Sequence, residues 1–236
     1  MNKSQSIQLS CVPDISLLQK STLISVSHKF NKLDELSFVM FELDGIGIAA
    51  PQIGINKSCF LITHEIVKKY DQTYILEKCS VVENSYGKFY VFFNPSITSY
   101  LGKQYLQNDD LVNVPEGCLS LPNVGSRSSL HNEEKIGLVP RAKEITIIFN
   151  DINWISHNIK VSGQLSVVMQ HEYDHLQGVV YPARMKCKQN IFWNDYINFE
   201  ISRSTFTNDE IERFKKSVAN FRIQTEENAK KFGPQF

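Results

Sequence analysis

Apolar positions recur along this chain at two spacings, and the spacings sort it into helices and strands. Leu33, Leu36, Met40 and Leu43 fall three or four apart, as on one face of a helix. Asn31 is placed to cap that helix and Gly45 to stop it. Residues 58–63 and 89–93 are short runs rich in Phe, Val and Ile, the pattern of strands. The polar stretch 64–88 between them predicts a surface excursion or an extra hairpin. Residues 144–149 and 158–161 predict a strand pair that turns near 151–154. Leu165, Val168, Met169 and Leu176 return to helical register, with Gly178 as the stop. Further on, Thr207-Asn208-Asp209-Glu210 has the form of a capping box. Ile211, Phe214, Val218 and Phe221 then make one apolar stripe, which Gly233-Pro234 closes. Strands dominate the middle without regular βαβ alternation, so the pattern predicts an α+β fold: antiparallel sheets around a central helix, with a second helix at the C-terminus. No shift in composition divides the chain, so residues 1–236 read as a single domain.

Composition adds bounds. The 236 residues are 42% hydrophobic, enough for a buried core and far from a disordered composition. Lys plus Arg is 25 and Asp plus Glu is 25, so no net basic field draws in nucleic acid or an anionic membrane. The apolar runs fall short of a membrane span, and residues 1–10 lack the charged start and apolar stretch of a signal peptide. Cys11, Cys59, Cys79, Cys118 and Cys187 are odd in number and form no CxxC pair. The expectation is a cytoplasmic protein with free thiols.

The candidate chemistry lies in Gln170-His171-Glu172-Tyr173-Asp174-His175. On a helix, residues four apart differ by about 40° around the axis and about 6 Å along it, so both imidazoles face one point. Glu172 is next to His171 and within reach of a water on a cation shared by His171 and His175. This is the HExxH arrangement, two nitrogen ligands plus a carboxylate that handles protons. A catalytic centre needs a third protein ligand. Downstream, Asp195, Glu200, Glu210 and Glu212 are available but form no second motif. Upstream, Cys118 stands in Pro115-Glu116-Gly117-Cys118-Leu119-Ser120-Leu121-Pro122. His131 and His157 fall in polar, loop-like stretches and read as non-ligands.

Three segments together resemble the peptide deformylase family. They are Gly45-Ile46-Gly47-Ile48-Ala49-Ala50-Pro51-Gln52 (GxGxAAxQ), Glu116-Gly117-Cys118-Leu119-Ser120 (EGCLS) and His171-Glu172-Tyr173-Asp174-His175-Leu176-Gln177-Gly178, preceded by Gln170 (QHExDHLxG). They are complete and in the family's order. Pro13-Asp14, Phe93-Asn94-Pro95 and Val139-Pro140-Arg141-Ala142 add weaker matches, and the similarity covers about residues 11–185.

The resemblance implies a metal-dependent hydrolase that removes the N-formyl group from N-formylmethionine of nascent, ribosome-associated chains. It implies that Cys118, His171 and His175 hold one divalent cation, Fe²⁺ foremost, with Zn²⁺, Ni²⁺ and Co²⁺ also suited to a thiolate and two imidazoles. It gives Glu172 the proton transfers, and Gln52 with the N–H of Leu119 the oxyanion. It places Gly45, Ile46, Gly47 and Ile48 along the peptide in strand fashion, Val167 and Val168 on the wall of the methionine pocket, and the Glu116–Arg141 pair behind the centre. The chain departs from the family in extra residues at 125–137, where Gly125 stands in place of an Arg that Arg127 could replace, and in the length of 64–88. Two other readings stay open: an HExxH zinc peptidase with a downstream ligand, and a non-catalytic, metal-stabilised peptide-binding paralogue.

Overall fold

Strand β2 (Cys59–Thr63) is apolar at successive positions because both of its faces are covered. Phe60 and Ile62 point into one buried cluster, and Cys59 and Leu61 into another. A run this uniformly apolar belongs to the middle of a sheet. The computed structural model describes residues 8–27, 30–70, 74–101, 108–121, 138–185 and 189–233. Among these, an antiparallel six-stranded sheet runs in the order β1-β2-β4-β7-β8, with β3 paired to β4. Its strands are β1 (Gly47–Ala49), β2, β3 (Val82–Glu83), β4 (Lys88–Tyr100), β7 (Glu144–Asn150) and β8 (Ser156–Ser162). β5 (Leu111–Pro115) and β6 (Leu138–Ala142) form a separate antiparallel pair.

Helix α4 (Gly163–Leu176) lies against one face of the large sheet. Leu165, Val168, Met169 and Leu176, the residues in helical register, pack there with Phe60, Phe92, Ile147 and Phe149. α1 (Leu33–Glu42) covers the other face with Leu36, Val39 and Met40. A third cluster joins Val12, Leu17 and Val180 to α5 (Gln189–Arg203) and α6 (Asn208–Lys231) through Trp193, Tyr196, Val218 and Phe221. The fold is α+β, with antiparallel sheets around α4 and a long helix at the C-terminal end. No helix among the described residues is long and apolar enough to cross a membrane.

Several elements differ from the sequence pattern. α1 is preceded by Lys32, which makes no side-chain cap, rather than by Asn31. The GxGxAAxQ segment is not a loop: Gly47–Ala49 pairs with β2, burying Ile48 and Ala49, and Ala50–Ile53 makes a 3₁₀ turn. The stretch 64–88 is no simple hairpin. It holds two short helices, α2 (His64–Tyr70) and α3 (Tyr74–Lys78), before β3, because Val67 and Ile75 are drawn fully into the core. β4 continues past 93 to Tyr100, through a register irregularity that accommodates Pro95. His157 is a buried residue of β8, stacked on Phe149, rather than a loop residue. The 125–137 segment, with Gly125, Arg127 and His131, and Cys187 lie outside the described residues.

Candidate metal centre

α4 presents His171, Glu172 and His175 toward a turn just after β5, where Cys118 sits with its carbonyl accepting from the Leu121 amide at 3.0 Å. The donor atoms of Cys118, His171 and His175 all lie within 4.8 Å of one another, and Cys118 Sγ is 3.3 Å from His175 Nε2. His171 turns its Nδ1 to Glu116 Oε2 at 2.7 Å. A carboxylate only accepts, so this bond puts the proton on Nδ1 and leaves Nε2 for the shared point. Burial pushes the Cys118 thiol up, but His175, together with His171, more than offsets it and draws the group down to about 5. The sulfur is therefore a thiolate near neutrality, the form that binds metals. One soft sulfur and two imidazoles fit Fe²⁺, Zn²⁺, Co²⁺ or Ni²⁺ rather than Mg²⁺ or Ca²⁺.

Glu172 lies deep beside this trio. Its Oε2 is buried without a hydrogen-bond partner among the described residues. Burial outweighs the pull of His171 and His175 and pushes its carboxyl up to about 7, the range of a group that both takes and gives protons near neutrality. The other oxygen explains a glycine. A Cβ built on Gly47 would stand 2.6 Å from Glu172 Oε1, so β1 approaches the carboxylate only because position 47 has no side chain. Gln52 is set from the same segment. Its Oε1 accepts from the Ala49 amide at 2.8 Å, which turns Nε2 toward Ser120 Oγ at 3.2 Å and Cys118 Sγ at 3.7 Å.

A cavity of about 510 Å³ opens onto this site. Gly45, Ile46, Gly47, Gln52, Glu116, Cys118, Leu119, Val167, Val168, His171 and Glu172 border it, and His175 does not. Nor does Ile48; its side chain is fully buried on the α1 face of the sheet. Leu9, Leu43, Asp44 and Gln164 also border the cavity, and no sequence motif marked them. β1 is an edge strand. The Ile46 carbonyl accepts from the Thr63 amide at 3.0 Å and Gly47 lies opposite Ile62, so by antiparallel alternation the Gly47 N–H and C=O face the open edge.

Behind the centre the polar groups are paired. Arg141 holds Glu116 with Nε at 2.6 Å and Nη2 at 2.9 Å, and reaches Asp174 with Nη1 at 2.6 Å. All three side chains are buried, so this is no surface ion pair. Burial alone would raise Glu116 and Asp174, yet Arg141 on the first and Arg184 with Arg141 on the second hold both near 2. Asp195, Glu200, Glu210 and Glu212 lie on α5 and α6 and are not part of the trio.

The family model described as polypeptide deformylase matches residues 7–190, a span that ends before α6. A peptide deformylase of Chloroflexus aurantiacus is 34% identical over 159 residues, 65% of this chain and 72% of that one. One from Thermus thermophilus is 32% identical over 160 residues, 67% of this chain and 71% of the relative. The solved structure of peptide deformylase 1B from Arabidopsis thaliana superposes with a TM-score of 0.60 at 27% identity, covering 83% of this chain and 91% of that one.

Proposed function

The chain belongs to the peptide deformylase family and is an enzyme of that class, and on that footing we propose that residues 1–236 form one catalytic domain that hydrolyses the formyl group from N-formylmethionyl peptides, releasing formate. The observation that carries this reading is the convergence of Cys118, His171 and His175 beside a buried, unpartnered Glu172 oxygen.

In this reading Cys118, His171 and His175 hold one divalent cation, Fe²⁺ foremost. Bound there, it would supply Lewis acidity and lower the pKa of a water toward neutrality. Glu172 takes the proton of the attacking water and delivers it to the leaving amine, a role suited to a carboxyl near 7. Gln52 Nε2, fixed by the Ala49 amide, donates to the developing oxyanion together with the Leu119 N–H. The peptide lies along the open edge of β1 and pairs with Gly47, while Gly45 and Ile46 shape the approach. Val167 and Val168 line the apolar space for the methionine side chain. The substrates are formylated chains as they leave the ribosome, in the cytoplasm.

The test is formate release from a formyl-Met peptide by protein purified and loaded with Fe²⁺ or Ni²⁺ without oxygen. Turnover that disappears on chelation is expected. No formate from the loaded protein would overturn the reading. Cys118→Ser separates it from an HExxH peptidase with a downstream ligand, which would keep its metal and its activity.

A further inference from the structure

Arg184 lies at the end of the 3₁₀ turn Tyr181–Arg184, outside every motif of the sequence, and its side chain is buried. It meets Asp174 with Nε at 3.2 Å and Nη2 at 2.7 Å. The same guanidinium donates from Nη1 to the Ala229 carbonyl at 2.6 Å and from Nη2 to the Phe232 carbonyl at 2.5 Å. Those carbonyls close the last turn of α6, where helical acceptors have no partner of their own and a cation is favoured. The chain leaves the helix at Gly233 with φ 107°, and a Cβ there would stand 2.4 Å from Arg184 Nη2.

A continuous buried path therefore runs from α6 to the centre. Arg184 grips both oxygens of Asp174, and Arg141 shares its Oδ2; Arg141 clamps Glu116; Glu116 accepts from His171 Nδ1. Without Arg184, Asp174 would have Arg141 alone, and Arg141 would be drawn toward Asp174 at the expense of its two-point hold on Glu116. The His171 ring would then lose the bond that sets its angle. We propose that Arg184 is a positioning residue for the cation centre, tying the last turn of α6 to the orientation of His171 through Asp174, Arg141 and Glu116. This rests on the reading that Cys118, His171 and His175 hold a cation.

The test titrates Co²⁺ into the full metal-free chain, with affinity read by competition against a chromophoric chelator and ligation by the thiolate-to-cobalt absorption band. Arg184→Gln is expected to weaken Co²⁺ about 10-fold, the low end for a partner of a metal-bound histidine. It also shifts the cobalt spectrum and lowers kcat on a formyl-Met peptide with KM unchanged. Arg184→Lys, which meets Asp174 at one point, falls between it and the parent. Gly233→Ala crowds the guanidinium without changing charge and moves the same readouts in the same direction, so the inference stays testable if Arg184→Gln does not fold. Thr225→Val removes the acceptor of the Val180 amide on the same helix, lowering Tm without moving the cobalt readouts. Parent-like affinity and spectrum in both Arg184→Gln and Gly233→Ala would overturn the inference. So would a Thr225→Val variant that loses Co²⁺ as Arg184→Gln does. Absence of the thiolate band in the parent chain would instead bring down the cation reading itself.

Discussion

Two faces of α4 follow opposite rules. Toward the cavity, Glu172 Oε2 is buried with no hydrogen-bond partner among the described residues. Two residues on from Glu172, about 200° round the helix, Asp174 receives three N–H bonds from two arginines. A buried polar atom left unpaired costs about 1–3 kcal/mol, so proteins keep few of them, and mostly where a ligand or water completes them. In the proposed function, substrate, water and cation would complete the front face. The back face is saturated because a half-held network would let the front ligands turn.

The sharpest way to break this contrast is on the front. Glu172→Gln keeps the size of the side chain and removes the base. It is expected to lower kcat on a formyl-Met peptide by about 10²–10⁴-fold. Stability should hold or rise, because a neutral amide replaces a buried carboxyl already pushed up to about 7. Parallel measurements of kcat and Tm check both halves. A large fall in Tm would mean that the front face is built for stability after all.

On the back, Arg141→Met should reverse the pattern. Removing one partner from a buried ionic network costs about 3–5 kcal/mol, because buried Glu116 loses its two-point partner and must either stay charged unpaired or take up a proton. Denaturant unfolding measures this. pH gives a second measure on the parent chain. Glu116 and Asp174 are held near 2, below their ordinary range. Their contribution is therefore complete above the ordinary carboxylate range and is lost as pH falls from there through about 2. The parent should lose stability steeply over that window. In Arg141→Met the slope should be shallower, since Glu116 no longer has its main reason to stay ionised.

The same contrast explains what the sequence revealed. The front face was legible because HExxH is local: five residues of helix fix where two rings and a carboxylate go. Cys118 and Gln52 were reached only through their flanking motifs, since no spacing along the chain shows that they meet α4. Behind the centre, Arg141 and Glu116 could be paired by resemblance, but their burial could not be read. Arg184 was missed because nothing in its neighbours marks a cation that reaches both Asp174 and a helix end 45 residues on. Ile48 stands apart from its neighbours for a simpler reason. Strand alternation turns its side chain away from the cavity that its neighbours border. α5 left no clear stripe, because Phe192, Trp193 and Tyr196 bury beside an exposed Ile191. α2 and α3 were hidden by charge: Glu65, Lys68 and Lys69 made a polar stretch of a segment whose Val67 and Ile75 lie in the core.

The smallest expected effect sharpens the comparison along α6. At its first turn Thr207 caps the helix, its hydroxyl accepting from the Glu210 amide at 3.4 Å. At its last turn the carbonyls of Ala229 and Phe232 meet Arg184. The two ends belong to one 24-residue helix, but only the second is joined to the centre by buried groups. Thr207→Ala should cost about 1 kcal/mol, as loss of an N-cap does. In a chain of this size that is about 2–4 °C in Tm. Fraying confined to the first turn leaves Val218, Phe221, Thr225 and Ala229 seated, because those four are the buried positions and all lie beyond it. Cation affinity and kcat should therefore equal the parent's while Tm falls. If the cap variant also loosened the cation, α6 would be acting on α4 through its whole length, and the distinction between a structural end and a positioning end would fail.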